Sequence, residues 1–391
     1  MILKLKNNYI KYCFISILFI CVFQSERVFA SREPIIRVLI SKSNNLRIRS
    51  DKSIPLTIEG EIFSNKKVKG LTLKNEQNRK IIYFDKNKKE QYDLKHNQKF
   101  QIRSSDGRGI WVGQKRFSGK INLFILDSEI LVVNVLRIEK YLSSVVGAEM
   151  PTKWPMEALK AQAIASRTYA LKQKGNNLFD IDSTQKNQVY NGLESRTYKT
   201  TRAVRSTRSL VLTHKNKLIN AVFHSSSGGM TENSQDVWKN EYHYLSSVKD
   251  FDKKNPKFSW QRKFSSKELT NLFPNIGGLK NIEILNITKT GRVKNVRLSG
   301  AYGSYKMSGV DLRKRLGLKS NLVRFKFFEE DLNNELSTKK GLIVLGQGSG
   351  HGVGMSQWGA KYMASKGLKA EKILKHFYRG VEIQPFRKDF L

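Results

Sequence analysis

Two prolines four positions apart, Pro151 and Pro155, interrupt a stretch that reads as helix on either side, and they constrain this chain more than any other local feature. Before them, Tyr141 to Val146 has helical character and Gly147 is a natural stop, while Pro151 disfavours the α region for Met150. After them, Pro155 supplies a fixed φ for the first turn of a helix predicted over Pro155 to Lys174. Glu149 is therefore expected in a short non-helical joint. At the C-terminal end of the first helix the partial negative charge disfavours an ionised carboxylate, and burial beside Met150 and Trp154 acts in the same direction. A glutamate that stays protonated near neutral pH can hand a proton to a leaving oxygen, which is what cleaving a glycosidic bond requires. The plain alternative is a surface glutamate in a turn.

On the second helix, Lys160, Ile164, Arg167 and Leu171 recur at helical spacing, so Lys160 and Arg167 share a face about 10 Å apart in rise. Either this is a solvated basic stripe, or the two cations face a cleft where one holds a substrate carboxylate and the other orients Glu149. Leu159, Ala163, Ser166 and Ala170 form a neighbouring face small enough to pack closely on a sheet. Glu157 is a reserve acid, but a carboxylate in a first helical turn commonly complements the helix dipole.

The first thirty residues carry Lys4, Lys6 and Lys11, then the apolar run Tyr12 to Phe23, then Val28-Phe29-Ala30, which reads as a secretory signal. A retained anchor is the weaker alternative, because twelve apolar residues are short for a bilayer. Ile20 before Cys21 argues against lipid attachment there. Both cysteines, Cys13 and Cys21, fall inside this segment, so an exported chain from Ser31 would have no disulfide, cysteine nucleophile or thiolate metal site.

From Ser31 to Lys115, short β-branched runs separated by Lys, Asn and Gly turns predict a small β-rich accessory module. From residue 116 to 391 strands and helices mix, giving an α+β fold class for the whole. Lys120 to Ser128 and Glu129 to Leu136 look like a hairpin. Residues 258 to 328 continue as further α/β material forming part of the same wall. The glycine-rich loop Gly346 to Gly354 precedes a helix predicted over Ser356 to Lys366. It lacks the Lys-Ser/Thr ending of a phosphate-binding loop. Its glycines would admit close approach of a sugar, His351 and Gln357 could bond hydroxyls, and Trp358 could stack on a pyranose ring. A tight turn, a structural histidine and a core tryptophan explain the same residues.

The segment Val145 to Leu171 together with GQGSGHGVGMSQWGAKYMASKG resembles the SpoIID/LytB family of peptidoglycan-acting proteins. The resemblance extends from about Arg116 to Pro385 through NVLRIEKYL, NQVYNG, FHSSSGGMTENSQDVW and LRKRLGLKS. It implies a lytic transglycosylase cutting glycan strands already stripped of stem peptides, or a non-catalytic helper of the cell-wall amidase that strips them. On that resemblance Glu149 is the catalytic acid, Lys160 and Arg167 face the cleft, and Tyr190, His224, Ser225, His351, Gln357 and Trp358 contact substrate. Some relatives hold zinc near Asp180 to Gly192 or the HSSSGG stretch, but here only His224 remains, so no metal and no cofactor are expected.

The formal charge of +38, about +35 without the signal, is either compositional or an attraction to a polyanion. Nucleic acid is a poor candidate for an exported chain without a recognisable binding motif. Stripped glycan fits better, since each muramic acid that has lost its peptide exposes a lactyl carboxylate. The expected partners are therefore glycan strands and an amidase, the location the periplasm or cell wall, and membrane contact only through an uncleaved signal. A serine hydrolase built on Ser225 to Ser227, Ser356 and His351 lacks a G-x-S-x-G elbow and an identifiable acid.

Overall fold

The computed structural model describes residues 33–51, 54–84, 90–173, 177–330 and 339–391. The expected secretory signal, with Cys13 and Cys21, lies outside them. By its internal contacts the chain divides into Met1–Ile35 and Ile36–Leu391, and the second unit is the one that carries the site. It is a mixed α+β fold with a β-rich N-terminal region. No helix among the described residues is long and apolar enough to cross a membrane.

The short alternating runs do form strands, but those before residue 115 do not close on themselves. A seven-stranded sheet runs in the order Ile181–Asp182, Ile35–Lys42, Ile130–Arg137, Lys120–Ile125, Lys99–Ser104, Leu56–Gly60, Phe63–Val68. The expected boundary at 115/116 thus falls inside a shared sheet: Lys120–Ile125 pairs antiparallel on one side with Ile130–Arg137, as the hairpin reading requires, and on the other with Lys99–Ser104. A second sheet of six strands between Leu46 and Phe117 contributes Ile48, Leu73, Ile82 and Ile110 to the same apolar core as the first.

The helices are α1 (Ile138–Glu149), α2 (Met156–Lys172), α3 (Tyr198–Ser206), α4 (Ser234–Val237), α5 (Ser266–Leu272), α6 (Gly309–Arg315), α7 (Gln357–Ser365) and α8 (Ala370–Phe377). Here α1 corrects the expected joint. Gly147 does not stop the helix, and Glu149 is its last residue, followed by Met150 in extended conformation ahead of Pro151. Gly147 is small for a packing reason: a Cβ there would lie 1.9 Å from the carbonyl oxygen of Ser195.

Nearly every face of α2 is covered, including Ile164, Arg167 and Leu171 as well as Leu159, Ala163, Ser166 and Ala170. Residues 258–328 belong to a region with its own core, in which Trp260, Phe264, Leu269, Leu312, Val323 and Val344 come together from two three-stranded sheets, α5 and α6.

Candidate active site

A cleft of about 710 Å³ opens where α1 ends. Its walls come from Ala148 and Glu149, from Gln185 to Asn187 with Val189, from Asn220 with Val222 to Ser225, from Ser349 to His351, and from Gln357, with Tyr169, Gln173, Trp238 and Arg313 completing it. The floor is a short parallel pairing in which Phe223 and His224 lie beside Met355 and Ser356. Ser226 and Ser349 exchange backbone hydrogen bonds of 3.0 and 2.7 Å, which fixes the glycine-rich loop to the HSSS segment. The loop's glycines serve this docking. At Gly350, with φ of +115°, a Cβ would come 2.6 Å from the Cβ of His224, and at Gly352 it would meet the Arg292 guanidinium at 2.6 Å.

Glu149 is the sole carboxylate among the described residues lining the cleft. The Val189 N–H donates to its Oε1 at 2.7 Å, and the Gln357 amide donates to Oε2 at 3.3 Å. Burial pushes its pKa up, and these two donors oppose that without cancelling it. A glutamine is suited to this position because its amide can turn to present either N–H to a carboxylate or C=O to a carboxylic acid. Glu149 therefore has a neighbour compatible with both protonation states.

The two cleft histidines are held toward the neutral form, and they differ in whether a ring nitrogen is left free. His351 accepts from the Val353 N–H at Nδ1 (3.1 Å) and donates from Nε2 to the Phe223 carbonyl (3.0 Å), so both nitrogens are occupied. Burial lowers its pKa to about 4, and the Arg313 charge adds to this. His224 donates from Nδ1 to the Val353 carbonyl at 3.1 Å, which leaves a lone pair on a buried Nε2 with no protein partner. Burial, His351 and nearby arginines hold its pKa well below the ordinary imidazole value. One free imidazole nitrogen is too few donors for a metal, and no group of three metal-binding side chains occurs among the described residues.

Other expected site residues lie elsewhere. Arg167 is 1% exposed and makes a two-pronged ion pair with Glu139 (2.9 and 2.7 Å), with further bonds to the carbonyls of Leu210 and Val204. Lys160 pairs with Glu157 at 2.8 Å, outside the cleft. Glu157 also accepts from the Ala370 N–H at 2.9 Å; burial opposes its ionisation, but these partners prevail and keep its pKa below the usual range, so it is no proton donor. Tyr190 is buried and donates its hydroxyl to Asn134. Trp358 packs edge-on against Trp154, with Lys361 above its ring at 4.1 Å. Ser225 does line the cleft. Its neighbours Ser226 and Ser227 are spent on Asp252 (2.5 Å) and Asp250 (2.6 Å), and Ser356 caps α7, so the serines have structural duties and His351 has no nitrogen left to act as a base.

Several cleft residues were passed over by the sequence reading, among them Trp238, with an aromatic face, and Arg313, with a guanidinium. Both lie in motifs already singled out, Trp238 as the last residue of FHSSSGGMTENSQDVW and Arg313 in LRKRLGLKS. Trp238 stands 5.2 Å from the His351 ring, where it offers the cleft an aromatic face that Trp358 does not.

Comparison with known proteins joins these motifs to a family. Residues 126–214 match the model of the stage II sporulation protein family, and residues 230–354 match a domain of unknown function. The chain is 34% identical to an uncharacterised protein of Brachyspira hyodysenteriae over 70% of its own length and 73% of that protein's. It is 36% identical to the stage II sporulation protein D of Bacillus amyloliquefaciens over 64% of its own length and 75% of the relative's. The amidase enhancer of Bacillus subtilis is 29% identical over 63% of this chain and 40% of that protein.

Proposed function

The chain belongs to the SpoIID/LytB family, whose role is in the cell wall, and from that premise we propose that it is an exported lytic transglycosylase acting on glycan strands stripped of stem peptides. The observation that carries this reading is Glu149, the one cleft carboxylate among the described residues, with its raised pKa. A glycosidase that uses water ordinarily employs two carboxyl groups across the scissile bond. A transglycosylase can use one. Glu149 protonates the bridging oxygen as the bond from C1 breaks; its carboxylate then takes the proton from the muramic acid 6-hydroxyl as that oxygen bonds to C1. The proton returns to Glu149, no water is consumed, and the product is a 1,6-anhydro end. Trp238 supplies a stacking face, and the His224 lone pair accepts from a sugar hydroxyl or acetamido N–H.

The test is mass spectrometry of stripped strands incubated with wild-type protein and with Glu149→Gln. Anhydro ends are expected from wild type, and the variant should lose about 10²- to 10⁴-fold in rate, the usual worth of a general acid. The variant should melt no lower than wild type at pH 7. A raised carboxyl pKa means that wild type loses stability as pH rises above the ordinary glutamate range, whereas the amide does not ionise. Reducing ends, or a variant as active as wild type, would remove the mechanism.

The kinship with the Bacillus subtilis amidase enhancer favours a second reading, a non-catalytic enhancer of a cell-wall amidase. That reading requires Glu149→Gln to stimulate an amidase as well as wild type does, with no anhydro ends from either.

A further inference from the structure

Lysines and arginines greatly outnumber acids in this chain, yet only two cations, Lys186 and Arg313, line the cleft among the described residues. Lys186 is exposed at the rim. Arg313 is half-buried, and its one hydrogen bond among the described residues runs from Nε to the Leu318 carbonyl at 3.3 Å. The basic neighbours on the same helix are directed elsewhere: Lys314 pairs with Asp311, and Arg315 bonds the Tyr305 hydroxyl.

Arg167 faces Glu139 and Arg292 faces Glu232, so each buried guanidinium has its carboxylate. Arg313 has no carboxylate within ion-pair distance among the described residues. Removing a cation from water without an anion costs free energy, and a site retaining such an arrangement is suited to an anion brought by a ligand. The guanidinium also bears on both cleft histidines, whose pKa values burial lowers and its charge lowers further.

We infer that Arg313, carried into the cleft by the 230–354 region, is the specificity residue that recognises free lactyl carboxylates on stripped glycan. The inference rests on the glycan substrate proposed above. A planar fork can bind a carboxylate through two parallel hydrogen bonds, which an exposed lysine cannot do. A stem peptide joined to the lactyl group as an amide removes that charge and one acceptor oxygen. The region of unknown function would thereby supply the selection step, while α1 supplies the acid.

The experiment is a binding titration in the Glu149→Gln background, so that nothing is cut. The probes are a peptide-free glycan tetrasaccharide containing muramic acid, the same compound with its carboxyls reduced to alcohols, and a chitin tetrasaccharide. The parent should bind the first probe roughly 10- to 100-fold more tightly than the other two, the usual range for a hydrogen bond to a charged group. Arg313→Gln should bind all three alike, at the affinity the parent shows for chitin tetrasaccharide. Arg313→Lys, which keeps the charge and loses the fork, should fall between, and it serves as the decisive variant if the glutamine form melts abnormally. Retained preference in a folded Arg313 variant, or transfer of the loss to Lys186→Gln, would overturn the inference and leave the glycan reading intact. A parent that binds none of the probes would overturn both.

Discussion

Glu149 is a balance of opposing effects at one carboxyl. Burial raises its pKa, while the Val189 N–H and the Gln357 amide favour the ionised form. A proton donor works only while protonated, so the rate should fall as pH rises through the folded pKa, and the raised value extends activity upward. Gln357→Leu removes a bond that favours the carboxylate, so the alkaline limb of kcat/KM on stripped strands should move to higher pH. A limb that stays put or moves down would mean that another group titrates. His224 shows how residue type and role separate. In sequence it is a lone histidine beside serines, and the decisive fact is that its Nδ1–H donates to the Val353 carbonyl and leaves the other nitrogen to the cleft.

At the scale of elements, α2 is the clearest case of a helix legible in outline and opaque in environment. Its start at the Pro155 boundary and its length follow from proline placement and periodicity. Its charges could be solvated or face a cleft on periodicity alone, and Arg167 does neither. It clamps α2 to Glu139 of α1, to the end of α3 through Val204, and to the strand Leu210–His214 through the Leu210 carbonyl. Arg167→Ala should therefore cost about 3–5 kcal/mol of stability, because Glu139 loses its buried guanidinium and two carbonyls lose a donor. Chemical denaturation measures this. The folded fraction should keep its preference for stripped glycan, and a fully stable variant with that preference abolished would restore Arg167 to the cleft.

Across the whole molecule, the excess of positive charge should act as a long-range attraction to a stripped strand, which is a regular polyanion. Affinity for stripped strands should fall steeply between about 0.05 and 0.5 M salt as screening shortens. Affinity for carboxyl-reduced strands should stay nearly flat, and equal salt dependence for both would show that the charge is compositional. The sequence by itself determined the mixed α+β class, the strands, the proline-separated helices and the family, because each follows from spacing between near neighbours or from ordered motifs. For Glu149 the sequence showed that the chain leaves the helix before Pro151, but not that the helix runs on through Gly147 to Glu149 itself. The sharing of one sheet across residue 115, the burial of Arg167 and Tyr190, and the entry of Trp238 and Arg313 into the cleft were decided only by tertiary structure. A motif can show that a side chain is available, but its direction depends on packing against residues far along the chain. Arg313 reaches the cleft because a second core, built between Trp260 and Val344, carries α6 to the wall of the site.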